Sequence, residues 1–259
     1  MTMRKALHAL AVVAALVLGT TGLGATGAVA QTEAPTPSIS WSFSGPFGTF
    51  DRASLQRGLQ IYNEVCSNCH SLSLLHYHDL SGLGYNEDEI KAIAAQKQVN
   101  DINDQGEPIK RPARPSDAFV APFANDKAAR AANNGALPPD QSVIVKAREG
   151  GSTYIYGVLT GYKEPPADMK MPEGMNYNVE FPGHQIAMPQ PLQDNSVTYA
   201  DGTKATLAQE AQDITTFLTW AADPQMEERK QTGAKVVLFL LIMTLVLYAA
   251  KRKIWSALH

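Results

Sequence analysis

The chain has only two cysteines in 259 residues, and they sit three apart with a histidine directly after them: Cys66-Ser67-Asn68-Cys69-His70. That spacing has a chemical reason. Two thiols separated by two residues on a tightening turn can each add across one vinyl group of the same porphyrin, and the next residue then lies under the iron. Cys66 and Cys69 are therefore read as the anchors of one covalent haem c, and His70 as its proximal iron ligand. A chain that wraps a porphyrin needs less apolar core of its own and can carry long loops. Three other uses of the pair are a disulfide, a thioredoxin-like redox centre and half of a zinc site. Zinc wants two further Cys or His ligands at similar spacing, and no second Cys-x-x-Cys exists. A thioredoxin-type pair follows a strand in a βαβ unit, whereas this pair ends a helical pattern.

The ends of the chain place it at a membrane. Arg4 and Lys5, an apolar stretch from Ala6 to Leu18, and Ala28-Val29-Ala30 make residues 1–30 a secretory signal with its cleavage site. Export puts the cysteines in an oxidising space, where free thiols persist only if another chemistry consumes them. Near the other end, Val236 to Ala250 is uncharged and apolar all round, which is short for a span of about 20 residues. Basic side chains that snorkel and Trp255 in the interfacial belt extend it, so a transmembrane helix is expected over about 233–250. Lys251, Arg252 and Lys253 follow without a compensating acid, while Arg229 and Lys230 are offset by Glu227 and Glu228. The positive end stays inside. The expected organisation is thus a signal over 1–30, an exported domain over 31–226 and an anchor over 227–259, in the inner membrane with a periplasmic domain and a cytoplasmic C-terminus.

The whole chain carries −3, but residues 31–226 hold 14 basic against 23 acidic residues, a net −9. An acidic exported domain repels nucleic acid and would draw in a basic partner, faster at low salt.

Within that domain, Asp51 caps a helix on which Leu55, Leu59, Tyr62 and Cys66 recur at helical spacing, so the Cys-x-x-Cys-His motif terminates an amphipathic helix. Gly58 on this helix is costly unless something approaches closely. Asn86 opens a second helix with acids in its first turn. Glu107 to Pro122 is proline-spaced and reads as loop. Asp126 to Ala132 is a short helix, and Asn133-Asn134-Gly135 a turn. Asp140 is expected to cap a helix running to Gly150-Gly151, followed by a further helix over Ser152 to Thr160. Residues 163–195 lack periodicity, and Asp201-Gly202 signals a small hairpin. Thr206 caps the last exported helix, whose stripe is Leu207, Ala211, Ile214, Phe217, Leu218 and Ala221, and Pro224 stops it.

A haem iron needs its sixth position assigned, because an empty site favours gas or peroxide chemistry and a filled one favours plain electron transfer. His76 and His78 lie too near His70 to reach across the porphyrin. Met188 is the choice, since Pro189 and Pro191 stiffen the chain beside it and reduce the entropy lost in holding a thioether. His184 is the alternative, and it would give bis-histidine ligation from the same loop.

Beyond these motifs, the chain resembles the cytochrome c1 family, the haem-bearing subunits of ubiquinol:cytochrome c oxidoreductase. The resemblance is carried by Arg57-Gly58 with Tyr62 and CSNCH, Tyr85 with Glu87-Asp88-Glu89, ARAANNGALPPD from Ala129 to Asp140, LTGYKEPP from Leu159 to Pro166, Phe181-Pro182-Gly183 with the AMPQP loop, and KIWS near the end. It implies a mainly α chain: an enlarged class I cytochrome c fold with long loops plus one C-terminal transmembrane helix. It also implies that Cys66 and Cys69 are the thioether anchors, His70 and Met188 the axial ligands, and Arg130 the partner of a haem propionate. Cytochrome b, a Rieske iron-sulfur protein and a soluble cytochrome c are the implied partners, in a dimeric complex, besides membrane lipid. The extra cysteines of some bacterial members are absent. A free-standing tethered cytochrome c donating to a terminal oxidase is the alternative reading.

Overall fold

A computed structural model describes residues 38–256, so the expected leader over 1–30 lies outside the described residues. Six α-helices occur among the described residues: α1 (Arg52–Glu64), α2 (Glu87–Ala95), α3 (Asp126–Ala132), α4 (Gly151–Thr160), α5 (Leu207–Ala222) and α6 (Met226–Trp255). Two antiparallel ribbons join them, β1 (Gln98–Ile102) with β2 (Pro108–Pro112), and β3 (Asn176–Tyr177) with β4 (Gln185–Ile186). The mainly α, loop-rich architecture is the expected one.

The core is the crossing of α1 and α5. Asp51 starts α1 by accepting from the amides of Ala53 and Ser54 at 3.0 and 3.4 Å, and Thr206 starts α5 by accepting from Gln209 N at 3.2 Å. Leu55, Leu59, Ile61 and Tyr62 bury themselves with Ile214, Phe217, Leu218 and Trp220, each full burial contributing about 1.5–3 kcal/mol. Gly58 explains the closeness. A Cβ there would lie 2.3 Å from the Asp213 carbonyl oxygen and 2.5 Å from Phe217 Cβ. Asp213, fully buried, is held across the crossing by Ser54 Oγ at 2.7 Å and by Arg57 through Nε at 2.8 Å and Nη2 at 3.0 Å. Arg57 Nη1 also reaches Asp201 at 2.8 Å, and its hydrogen bonds to these acids hold the guanidinium firmly protonated against the opposing effect of burial.

Three local expectations need correction. Asp140 does not start a helix to Gly150-Gly151; residues 142–150 form successive turns. One oxygen of its carboxylate accepts from the nearby Ser142 amide, but the other is spent on Ser71 and Ser73 of another segment, which holds this stretch against residues 71–74, and Gly150 with φ +79 instead precedes α4 as its cap. The proline-spaced stretch from Glu107 is not all loop, because Pro108–Pro112 pairs with Gln98–Ile102 in a ribbon that has only edges, where proline costs no ladder bond on the open side. Asp201-Gly202 is a turn, with Gly202 N donating to Tyr199 O at 3.3 Å, but no hairpin flanks it. The Val197 amide donates to Glu210 at 3.2 Å and the Asn195 amide to Ala205 O at 2.6 Å, leaving no ladder to form.

Helix α6 is 30 residues long with a mean hydropathy of 2.2 over its most apolar window, and it alone among the described residues is long and apolar enough to cross a membrane. From Val236 to Tyr248 its apolar side chains are exposed. Its first turns are bonded differently. Glu227 accepts from Phe50 N and from Arg52 Nη2, each at 2.7 Å, and Lys230 Nζ donates to the carbonyls of Phe43 at 2.7 Å and Gly48 at 3.0 Å.

Candidate functional site

Helix α1 ends as Val65 N closes on Ile61 O at 2.9 Å, and the chain tightens into a 3-10 turn over Cys66–Asn68. Cys69 N and His70 N both donate to Cys66 O, at 3.1 and 2.9 Å. This is the tightening turn that the cysteine spacing requires. Both thiols are free, Cys66 buried and Cys69 exposed. Burial, with a smaller contribution from Cys69, pushes the Cys66 thiol up to about 12. A dithiol redox centre works through a depressed thiol at a helix N-terminus, whereas Cys66 lies past a helix C-terminus in an apolar setting.

His70 is 9% exposed, and its position is fixed from two sides. Tyr62 Oη donates to its carbonyl at 3.1 Å, and its Nδ1 lies 2.8 Å from the Pro139 carbonyl oxygen. A carbonyl can only accept, so Nδ1 carries the proton and Nε2 keeps its lone pair, the arrangement of a metal-ligating imidazole. Burial lowers the pKa of His70 and outweighs the Pro139 bond and the charge of Asp140, which favours the neutral, ligating form.

Pro139 is itself held. Asp140 Oδ2 accepts from Ser71 Oγ at 2.8 Å and Ser73 N at 2.9 Å, while Oδ1 accepts from Ser142 N at 2.8 Å. Gln141 N donates to Ser71 O at 2.8 Å and Leu74 N to Ser142 Oγ at 3.1 Å. Burial alone would raise the Asp140 carboxyl, but the donors from Ser142 and Ser73 prevail and hold it at about 2. The 139–142 segment is thereby fastened to the 70–74 segment.

Arg130 lies on α3, which runs into the turn that leads to Pro139. Its side chain is exposed, with Nη1 donating to Gly135 O at 3.0 Å and no ion pair to any acid among the described residues. Its other donors are open to an anion. Met188 is half-buried beyond β4, and its carbonyl accepts from Tyr162 Oη at 3.0 Å and Asn176 Nδ2 at 3.3 Å. His184 has φ +58 and Nδ1 3.2 Å from the Asn178 carbonyl. The structure therefore ties Cys66, Cys69 and His70 into one turn and links it to the segment after Arg130, while Met188 lies just past a separate ribbon. Sequence reasoning gave no role to Pro139, Tyr162 or Asn176, and read Asp140 only as a helix cap. Each lies inside a motif quoted above or close to one, but nothing in the sequence says that Pro139 faces His70.

The donor set suits a covalently attached haem. The paired free thiols end a helix, an imidazole beside them has one nitrogen engaged and the other available, and among the described residues no group of three or more His, Cys, Asp or Glu is arranged to hold a metal ion such as zinc.

Comparisons with known proteins agree in direction. The model of the Cytochrome C1 family matches residues 41–258. The chain is similar to "Cytochrome c1 1, heme protein, mitochondrial" of Arabidopsis thaliana, 47% identical over 247 residues that cover 93% of this chain and 80% of the relative. Against "Cytochrome c1" of Rhodospirillum rubrum the identity is 46% over 232 residues, covering 83% and 85%. Against "Cytochrome b-c1 complex catalytic subunit, mitochondrial" of Candida albicans it is 47% over 222 residues, covering 85% and 77%.

Proposed function

Because the chain belongs to the cytochrome c1 family, we propose that it is a membrane-anchored cytochrome with one covalent haem c, passing single electrons from a Rieske iron-sulfur protein to a soluble cytochrome c inside a dimeric complex with cytochrome b. The observation that carries this is the His70 imidazole, whose Nδ1 is engaged by Pro139 directly after two free thiols. A bound haem supplies a one-electron iron couple whose potential depends on its axial ligands and surroundings. The residues supply everything else. Cys66 and Cys69 fix the group to the turn. His70, neutral and oriented by Pro139, would hold the iron through Nε2, and Met188, just past β4, would offer it a soft thioether. Arg130, free of acid partners among the described residues, neutralises a propionate. With iron held by these two side chains, the chain would carry electrons without breaking a substrate bond. It positions the group and tunes its potential, as a subunit of ubiquinol:cytochrome c oxidoreductase.

Helix α6 supports a single span of the inner membrane, with Lys251, Arg252 and Lys253 on the cytoplasmic side and the domain of residues 31–226 in the periplasm, after removal of a signal over 1–30. The acidity of that domain supports attraction of a basic carrier.

The test is a denaturing gel stained for haem, run on protein matured in a host that attaches haem c. Wild-type chain should carry pigment through the gel, and Cys66→Ser/Cys69→Ser should lose it. Colourless wild-type chain would sink the reading.

A further inference from the structure

Met188 sits where its own loop can do little for it. Pro191 has no N–H, so the donor that a turn would offer to the Met188 carbonyl three residues on is missing, and side chains claim that carbonyl instead. Those side chains come from two different elements. Tyr162, two residues past the end of α4, donates its hydroxyl at 3.0 Å, and Asn176 at the start of β3 donates its amide at 3.3 Å to the same oxygen and at 3.4 Å to Ile186 O.

The two elements are locked together beneath this grip. Asn178, fully buried, donates through Nδ2 to Val158 O at 2.7 Å, and its Oδ1 accepts from the amides of Glu180 and Phe181 at 3.0 and 3.2 Å. Val179 N donates to Gly161 O at 2.9 Å and Asn178 N to His184 O at 3.1 Å. The approach is close enough that a Cβ at Gly161 would lie 2.7 Å from Gly157 O and 2.9 Å from Asn178 Oδ1. Helix end and ribbon therefore move as one piece, and the Met188 backbone is fastened to that piece. A methionine side chain has three rotatable bonds. Fixing the backbone at its root reduces what must be ordered when sulfur engages a partner.

We propose that Tyr162 and Asn176 are positioning residues for Met188: their two hydrogen bonds to its carbonyl hold the thioether to its partner and keep competing ligands out. This rests on the reading of Met188 as the distal haem ligand. A competing ligand then works against a thioether whose backbone is already ordered, and each bond of the grip that is removed is worth up to a factor of about five in the displacement equilibrium.

The test uses the full-length haem-loaded protein in detergent. Ferric protein is titrated with imidazole while the weak long-wavelength sulfur-to-iron absorption is followed, and the midpoint potential is measured alongside. Tyr162→Phe, which keeps the ring and removes only the hydroxyl, should bind imidazole about fivefold more tightly and show a lower potential. Asn176→Ala should move both in the same direction, and the double variant further. Thr153→Val removes the 3.1 Å bond from Trp41 at the other end of α4 and should leave both unchanged. Wild-type affinity and potential in Tyr162→Phe and Asn176→Ala would overturn the proposal, as would an equal shift in Thr153→Val. Met188→Leu separates the two readings. If it retains the absorption, the ligand assignment fails; if it loses it while Tyr162→Phe and Asn176→Ala behave as wild type, only the positioning role fails.

Discussion

Gly58→Ala sets a small local gain against a large misfit. In an open helix the exchange stabilises by roughly 0.5–1 kcal/mol, because alanine has less backbone freedom to lose. Here the new methyl group would meet the Asp213 carbonyl oxygen at 2.3 Å, Phe217 Cβ at 2.5 Å and the Asp213 carbonyl carbon at 2.9 Å. Two of these are backbone atoms, which cannot rotate away. Ordinary contact starts near 3.4 Å, so α1 and α5 must part by about 1 Å, and such overpacking costs roughly 1–3 kcal/mol. The same shift stretches the 2.7, 2.8 and 3.0 Å bonds that Ser54 and Arg57 make to the buried Asp213, adding about 1–3 kcal/mol for a carboxylate partly stripped of its partners. The balance is a loss of about 2–4 kcal/mol, which for a domain of this size lowers Tm by roughly 5–15 °C. Thermal melts of the full chain in detergent, followed by near-ultraviolet circular dichroism, read this directly. A Tm within about 2 °C of wild type, or above it, would refute the reasoning by showing that the crossing has room for the methyl group.

Two further outcomes follow from the same geometry. Arg57→Met leaves Asp213 buried without its cation and should cost about 3 kcal/mol, while Arg57→Met/Asp213→Leu should recover much of the loss; denaturant midpoints of the single and double variants test this, and a single variant as mild as a surface change would contradict it. Asp140 is held at about 2 against an ordinary 3.8, so its contribution to stability is complete above pH 4 and is lost as pH falls toward 2. Asp140→Asn should lower Tm at pH 7 and flatten the acid limb between pH 4 and 2, and an acid limb as steep as wild type would show that the carboxylate does not hold the 139–142 segment.

What the sequence reveals about this molecule is what depends on local chemistry. The Asp51 and Thr206 caps, the helical stripe from Leu55 to Tyr62 and the turn through Cys66 to His70 involve neighbours in the chain, and each appears as its spacing predicts. Gly58 is legible as a demand for close approach, though not as an approach to Asp213. The misreadings share a cause. Asp140 has the chemistry of a helix cap and accepts from Ser142 N as a cap would, but its other oxygen answers Ser71 and Ser73, 69 and 67 residues away, and no local pattern records that competition. Asp201-Gly202 has the chemistry of a hairpin turn, but the flanking Val197 amide is taken by Glu210 of α5. At the candidate site the residue types Cys, Cys and His are visible at once, whereas Pro139 and Tyr162 act through a carbonyl and a hydroxyl set by tertiary packing.

The bonding of Glu227 and Lys230 bears on how a water-soluble version should be cut. In sequence these residues look like the start of the anchor, yet they satisfy the amide of Phe50 and the carbonyls of Phe43 and Gly48. A stop codon at 226 would expose that loop's polar backbone and loosen the ring cluster of Trp41, Phe43 and Phe50. A stop codon after Thr232 would discard the greasy stretch and keep the loop fastened. The sensible place to sever this protein from its membrane lies inside a helix, two turns in from its first residue.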